Sequence, residues 1–147
     1  MRTALPLVHL DRLYWRAGWV APTPEEWRAR LETALAAPRW IMDGNYASSL
    51  PLRLRHADTV LLLDYATPRC LLRVLKRILT ARGGQRDDMA PGCPEHFDPE
   101  FIAYVWRFRR TQRPLVLAAL QDFAGAVHCL HSPRERHSLC GFFDLSL

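Results

Sequence analysis

The sequence predicts an α/β domain built on a parallel sheet with helices on both of its faces. Two observations carry that expectation. Short apolar runs of strand length alternate with amphipathic stretches of helical spacing. Two of those runs, Pro6-Leu7-Val8-His9-Leu10 and Arg39-Trp40-Ile41-Met42, end in a carboxylate, Asp11 and Asp43, and polar and aromatic residues follow each one. In open parallel sheets ligands sit just beyond the carboxyl ends of strands, where neighbouring loops diverge, so both places are candidate sites.

The first run is nearly continuously apolar, as a strand buried on both faces requires, and a strand is predicted over 7–10. After a loop over 18–24, Thr23-Pro24-Glu25-Glu26 is a helix start, with Thr23 as N-cap, Pro24 at the first helical position and Glu26 at the capping-box position. This helix should run to about Ala37, burying Trp27, Leu31, Ala34 and Leu35, and Pro38 stops it. Strands follow over 40–43 and 59–63, the second centred on Val60-Leu61-Leu62-Leu63, with a short helix between them. A helix over 68–82 sets Leu71, Leu72, Leu75, Ile78 and Leu79 on an apolar side and Arg69, Arg73, Lys76 and Arg77 on the other. Residues 83–97 form a loop long enough to be functional, and its glycines and charges predict few buried contacts and a mobile, lid-like segment. A helix over 99–124 with a break at Pro114, a strand over 127–130 and a last helix over 133–143 complete the chain.

At 147 residues and 49% hydrophobic content, the chain suits one domain, 1–147, with a core of its own. No apolar run approaches the roughly 20 residues that span a bilayer, and the first residues lack the apolar stretch of a signal peptide. A cytoplasmic protein with no membrane partner is therefore expected. The four cysteines, Cys70, Cys93, Cys129 and Cys140, are scattered, which argues for reduced thiols rather than a disulfide framework. The net charge of +5 comes almost wholly from arginine, Lys76 being the single lysine among 20 basic residues. Arginine grips planar anions in a bidentate way, so phosphate-rich ligands or nucleic acid fit the excess, and a GC-rich coding bias also accounts for it.

The runs ending at Asp11 and Asp43, together with Asp88-Met89-Ala90-Pro91-Gly92-Cys93-Pro94-Glu95, resemble the adenylate-kinase-like P-loop proteins known as topology modulation (FlaR-type) proteins. The resemblance extends over nearly the whole chain. It implies a P-loop-kinase-like parallel sheet and ATP-dependent phosphoryl transfer, with ATP and Mg2+ as cofactors and a nucleotide or small hydroxyl acceptor as substrate. Yet no G-x-x-x-x-G-K-[ST] occurs in the sequence, and the match begins almost at Met1. The strand order implied by the family is 2-3-1-4-5. The first, central strand and the phosphate loop are therefore expected to be missing, leaving a gap between the strand at 40–43 and the strand at 59–63. Three resolutions stay open: a start codon upstream, direct closure of the two strands, or a homo-oligomer in which a second copy covers the gap.

On residue roles the resemblance implies that Asp11 contacts an acceptor hydroxyl or metal, with Arg12, Tyr14 and Trp15 beside it. A capping or surface role is the alternative for Asp11. Asp43, Gly44, Asn45 and Tyr46 form a second substrate-binding candidate, since Gly44 lets backbone approach a ligand and Asn45 and Tyr46 can hydrogen-bond it; Asp-Gly-Asn is also a common turn. Arg73, Arg77 and Arg86 are the implied catalytic arginines closing over the transferring phosphoryl group. A solvated helix face is the other reading of the helix's basic residues. Arg82 and Ser132-Pro133-Arg134 are the implied cofactor contacts, although a strand-to-helix turn with proline at its start also explains the latter.

Two weaker patterns remain. Cys93 and His96, with His128, Cys129 and His131, suggest a zinc site only loosely, because successive strand residues point to opposite faces. Trp106, Arg107, Phe108, Arg109, Arg110 and Arg113 interleave aromatic and basic side chains, as a nucleic-acid surface does. A helix with its aromatics packed inward is the plainer expectation. On the kinase-like reading, the chain as given should be weak or inactive; a nucleic-acid-associated protein and a non-functional fragment are the alternatives.

Overall fold

The computed structural model describes residues 5–81, 84 and 86–135. It is a mixed α/β structure with strands β1 (Leu7–His9), β2 (Ile41–Asp43), β3 (Thr59–Leu63) and β4 (Ala126–Leu130). Its helices are α1 (Leu10–Tyr14), α2 (Pro24–Leu35), α3 (Leu50–Leu54), α4 (Thr67–Ala81), α5 (Pro99–Thr111) and α6 (Arg113–Gln121), with a 3-10 turn at Ala47–Ser49.

Among the described residues the strands form two separate parallel pairs rather than the one sheet expected from sequence. β1 pairs with β2, matching Leu7 to Ile41 and His9 to Asp43. β3 pairs with β4, matching Thr59 to Ala126 and Leu63 to Leu130. No ladder joins β2 to β3 among the described residues, so the direct closure of those strands does not occur.

Local signals set the helix boundaries. Thr23 accepts from the Glu26 amide and the Glu26 carboxylate accepts from the Thr23 amide, completing the expected capping box. Trp27, Leu31 and Leu35 are buried, and with Leu10 they make the main core, against which Tyr14, Trp40, Met42 and Tyr46 pack. Leu10 was expected at the end of the first strand. It starts α1 instead, which turns its side chain into that core and lifts Asp11 into the first helical turn. The break in the long helix falls at Gln112 rather than Pro114, because proline needs no donor in the first turn of a new helix and α6 can begin before it.

Three expectations about packing are corrected. On α4 the buried residue is Val74, which lies outside the apolar set read from the sequence, and much of that apolar side lies in solvent: Leu72 is 68% exposed and Leu79 77%. Trp106, expected to pack inward, is 63% exposed, because every residue of α5 is only half-buried or exposed. The loop after α4 is not poor in buried contacts: Met89, Ala90 and Cys93 form a second core with Trp15 and Trp19. Backbone and thiol bonds add to this, from the Gly18 amide to the Gly92 carbonyl at 2.9 Å and from Cys93 Sγ to the Arg16 carbonyl at 3.1 Å. The apolar Met-Ala and Cys side chains outweigh the loop's glycines and charges. The helical turn over 133–135 opens where the last helix was predicted, and the rest of that helix lies outside the described residues.

Candidate functional site

The turn after β2 is built for close approach. Gly44 has φ +137°, and a Cβ on it would stand 2.7 Å from the Cβ of Leu10, so glycine alone lets this turn settle on α1. Tyr46 follows at φ +27°, a conformation that bulky side chains rarely take. Arg53 of α3 holds the strained backbone. Its buried guanidinium donates to the carbonyls of Gly44 (3.1 Å), Asn45 (2.5 Å) and Tyr46 (3.1 Å), while its Nε is buried without a hydrogen-bond partner among the described residues. Burial lowers the Arg53 pKa to about 10, because a cation taken from water without a carboxylate is disfavoured.

Held this way, Tyr46 donates its hydroxyl to Asp11 Oδ1 at 2.8 Å. Burial, and then the Asp11 charge, push the Tyr46 phenol far above its ordinary range, so it stays a neutral donor. Asn45 donates to the Tyr104 hydroxyl of α5 at 2.7 Å, and burial raises the Tyr104 phenol as well. Tyr14 completes the wall, its ring 4.8 Å from that of Tyr46, 5.0 Å from Trp15 and 5.1 Å from Trp27. The fold thus brings together Asp11, Tyr14, Asn45 and Tyr46, with Trp15 alongside. Asp43 stands apart from this group, its carboxylate 3.3 Å from Nδ1 of His9, its partner across the ladder.

The expected lid arginines converge on a carboxylate. Arg77 contacts Glu95 Oε1 at 2.9–3.0 Å and lies over the Phe101 ring at 5.7 Å. Arg86 contacts Glu95 Oε2 at 3.2 Å and grips Asp88 with two nitrogens. Burial works against the Arg86 charge, but the two carboxylates more than offset it and raise its pKa, while Arg86 in turn draws Asp88 below the ordinary range despite burial. Glu95 is buried between the two guanidiniums. Exposed Arg12 joins the same loop by donating to the Asp87 carbonyl at 3.5 Å. Arg73 is solvent-exposed on α4, and Arg82 lies outside the described residues.

Ser132, Pro133 and Arg134 follow β4, by the other strand pair. There Ser132 accepts from the Glu135 amide and donates to Glu135 Oε1 at 2.8 Å, and the His131 amide donates to Glu135 Oε2 at 2.9 Å. This is a capping arrangement, and that backbone bond lowers the Glu135 carboxyl.

Sequence reasoning passed over Asp64. Buried at the carboxyl end of β3, it accepts from both Nε and Nη2 of Arg113 at 2.6–2.9 Å, with Arg109 at 3.9 Å and His131 at 3.7 Å. The Arg113 hydrogen bonds hold its carboxyl below the ordinary range against the opposing effect of burial. The signal was present, since Val60-Leu61-Leu62-Leu63-Asp64 is a third apolar run closed by a carboxylate. Arg53 and Tyr104 carry no such signal, because their roles arise only from long-range packing.

Among the described residues, no three His, Cys, Asp or Glu side chains are grouped so as to hold a metal ion. The Cys93 thiol turns to a backbone carbonyl, and His96 sets its ring edge-on to Trp19 at 5.1 Å. A shallow groove of about 560 Å³ opens elsewhere, lined by Pro51, Leu54, Arg55, Asp122 and Phe123, away from the predicted site residues. Among the described residues no helix is long and apolar enough to cross a membrane. Comparison of the chain with protein-family models, with curated proteins and with solved structures found no match.

Proposed function

We propose that this chain binds a small phosphate-bearing hydroxyl acceptor, of the nucleotide class, at the carboxyl ends of β1 and β2, as the acceptor side of a kinase-like phosphotransferase. The observation that carries the reading is the Tyr46–Asp11 hydrogen bond at 2.8 Å. It places a carboxylate and a neutral phenol side by side at a strand-end position where an acceptor hydroxyl can exchange with the Tyr46 proton donor. Asn45 and Tyr104 supply further polar contacts, and exposed Arg12 supplies charge for a phosphate.

ATP and magnesium do not fit the residues at hand. The 147 residues contain no phosphate loop, and Arg77 and Arg86 are neutralised by Glu95 and Asp88. The chain as given is therefore expected to turn over little or no ATP. The P-loop-kinase-like arrangement, with one further strand between the two pairs, belongs to the same proposal, supported by the interruption falling between β2 and β3.

Calorimetry with a nucleoside monophosphate and, separately, with ATP and magnesium tests the reading. Monophosphate binding weakened about tenfold by Asp11→Asn is the expected result, on the scale of one charge-assisted hydrogen bond. Monophosphate binding absent at millimolar concentration, or ATP–magnesium binding in the low micromolar range, would overturn it.

A second reading, nucleic-acid binding, has an observation of its own: Trp106 stands in solvent on α5, which also exposes Arg107 and Arg110. An exposed indole among guanidiniums can stack a base while the arginines meet phosphates. Binding of single-stranded oligonucleotide should then weaken steeply with salt, and Trp106→Ala should reduce it at every salt concentration. Oligonucleotide affinity insensitive to both would remove this reading.

A further inference from the structure

α4 presents a seam left exposed among the described residues. Leu72, Leu75 and Leu79 are 68%, 40% and 77% exposed, at the i, i+3 and i+7 spacing of the a, d and a positions of a coiled coil. The helix meets the rest of the protein through a different stripe, buried Val74 with half-buried Leu71 and Ile78, which occupy the c and g positions of the same register. On the seam's other flank the e positions are Arg69 and Lys76, both exposed, and α4 contains no acidic residue.

We infer that this seam docks an amphipathic helix of another protein, one with leucine-like residues along its seam and carboxylates on its flanks. Charge selects that occupant. A second copy of this chain in antiparallel pairing would set e against e, bringing the basic residues Arg69 and Lys76 against basic residues, and in parallel pairing would set them against apolar Leu71 and Ile78. A lipid surface wants an apolar face of about 100° or more, whereas these three leucines cover roughly 60° at 100° per residue. A single helix fits a strip that narrow. Glutamates beside its seam would meet Arg69 and Lys76 while its apolar residues covered the leucines.

The test uses the full chain and two labelled synthetic peptides of three heptads, both with leucine at a and d, one with glutamate and one with lysine at every e and g. Like charges on both flanks keep each peptide from pairing with itself. Fluorescence anisotropy should show the glutamate peptide binding at least tenfold more tightly than the lysine peptide. Leu72→Gln with Leu79→Gln should abolish binding of the glutamate peptide, and Arg69→Glu with Lys76→Glu should reverse the preference between peptides. All four positions are exposed, so circular dichroism should report unchanged folding. Equal affinity for the two peptides, no binding of either, or a preference unmoved by the charge reversal would overturn the proposal. So would anionic phospholipid vesicles, or self-association in sedimentation, if either depended on the same leucines.

Discussion

Arg113, the first residue of α6, clamps both carboxylate oxygens of Asp64, the residue that closes β3, with the shortest contact at 2.6 Å. The junction of two helices is thereby fastened to the end of a strand 49 positions earlier in the chain. A carboxyl depressed in the folded state contributes stability above its unfolded pKa and loses it as pH falls through the folded value.

Arg113→Leu should therefore lower the urea midpoint at pH 7, and the gap between variant and wild type should narrow as pH drops below about 4, the unfolded carboxyl range. Denaturation curves at pH 7 and pH 3 check this. A gap of the same size at both would mean that the pair contributes nothing pH-dependent.

Tyr46→Phe removes the hydroxyl that Asp11 accepts from, and should cost about 1 kcal/mol of stability, a typical net hydrogen bond. Because the Tyr46 phenol is raised, it contributes stability below about pH 10 and this is lost as pH rises further. Ultraviolet titration of the folded wild type should show no more tyrosines ionising near pH 10 than Tyr46→Phe does, because Tyr46 is held out of that range. If all four titrate together in the wild type, the Tyr46 environment is not as described.

Arg53→Met should loosen the turn carrying Asn45 and Tyr46, costing about 2–3 kcal/mol, as hydrogen bonds to a buried charged group do. Arg53→Lys cannot reach three carbonyls at once and should rescue only part of that loss. Equal stability of Arg53→Lys and the wild type would show that the fork geometry is unimportant.

Gly92→Ala should weaken the attachment of the loop after α4, since a Cβ there meets the Ala17 Cβ at 2.8 Å and φ is +79°. A cost of at least about 1 kcal/mol is expected from the left-handed backbone alone. Thiol labelling gives the readout: Cys93, 1% exposed, should react only on opening of the loop, far more slowly than exposed Cys129, and Gly92→Ala should speed it. Cys93 labelling as fast as Cys129 in the wild type would restore the sequence expectation of a loosely held segment.

What could be read in advance was local. Thr23, Pro24 and Glu26 define the start of α2 through bonds spanning three residues, and Val60 to Leu63 is apolar enough to be a strand in almost any setting. The pairing of strands, the inward turn of Cys93 and the outward turn of Trp106 depend on surfaces brought from far along the chain. Apolar periodicity marks one side of α4 but cannot say which part of that side finds a neighbour, and Leu72, Leu75 and Leu79 on that side lie in water. At the site, Asp11 and Tyr46 were both legible as candidates, while their joining needs the turn that Arg53 imposes from α3.

The two strand pairs also differ in how much chain each must close. β1 meets β2 across 34 residues, as His9 and Asp43 do, whereas β3 meets β4 across about twice that length. Doubling a loop adds only about 0.6 kcal/mol of closure entropy, a minor term in final stability. Its weight falls on the order of events, because shorter closures are reached first. Residues 7–54 contain a parallel pair, its crossover helix and a hydrophobic cluster of their own. This stretch can organise early, leaving β4 to arrive last, after α5 and α6 have formed and carried it back to β3.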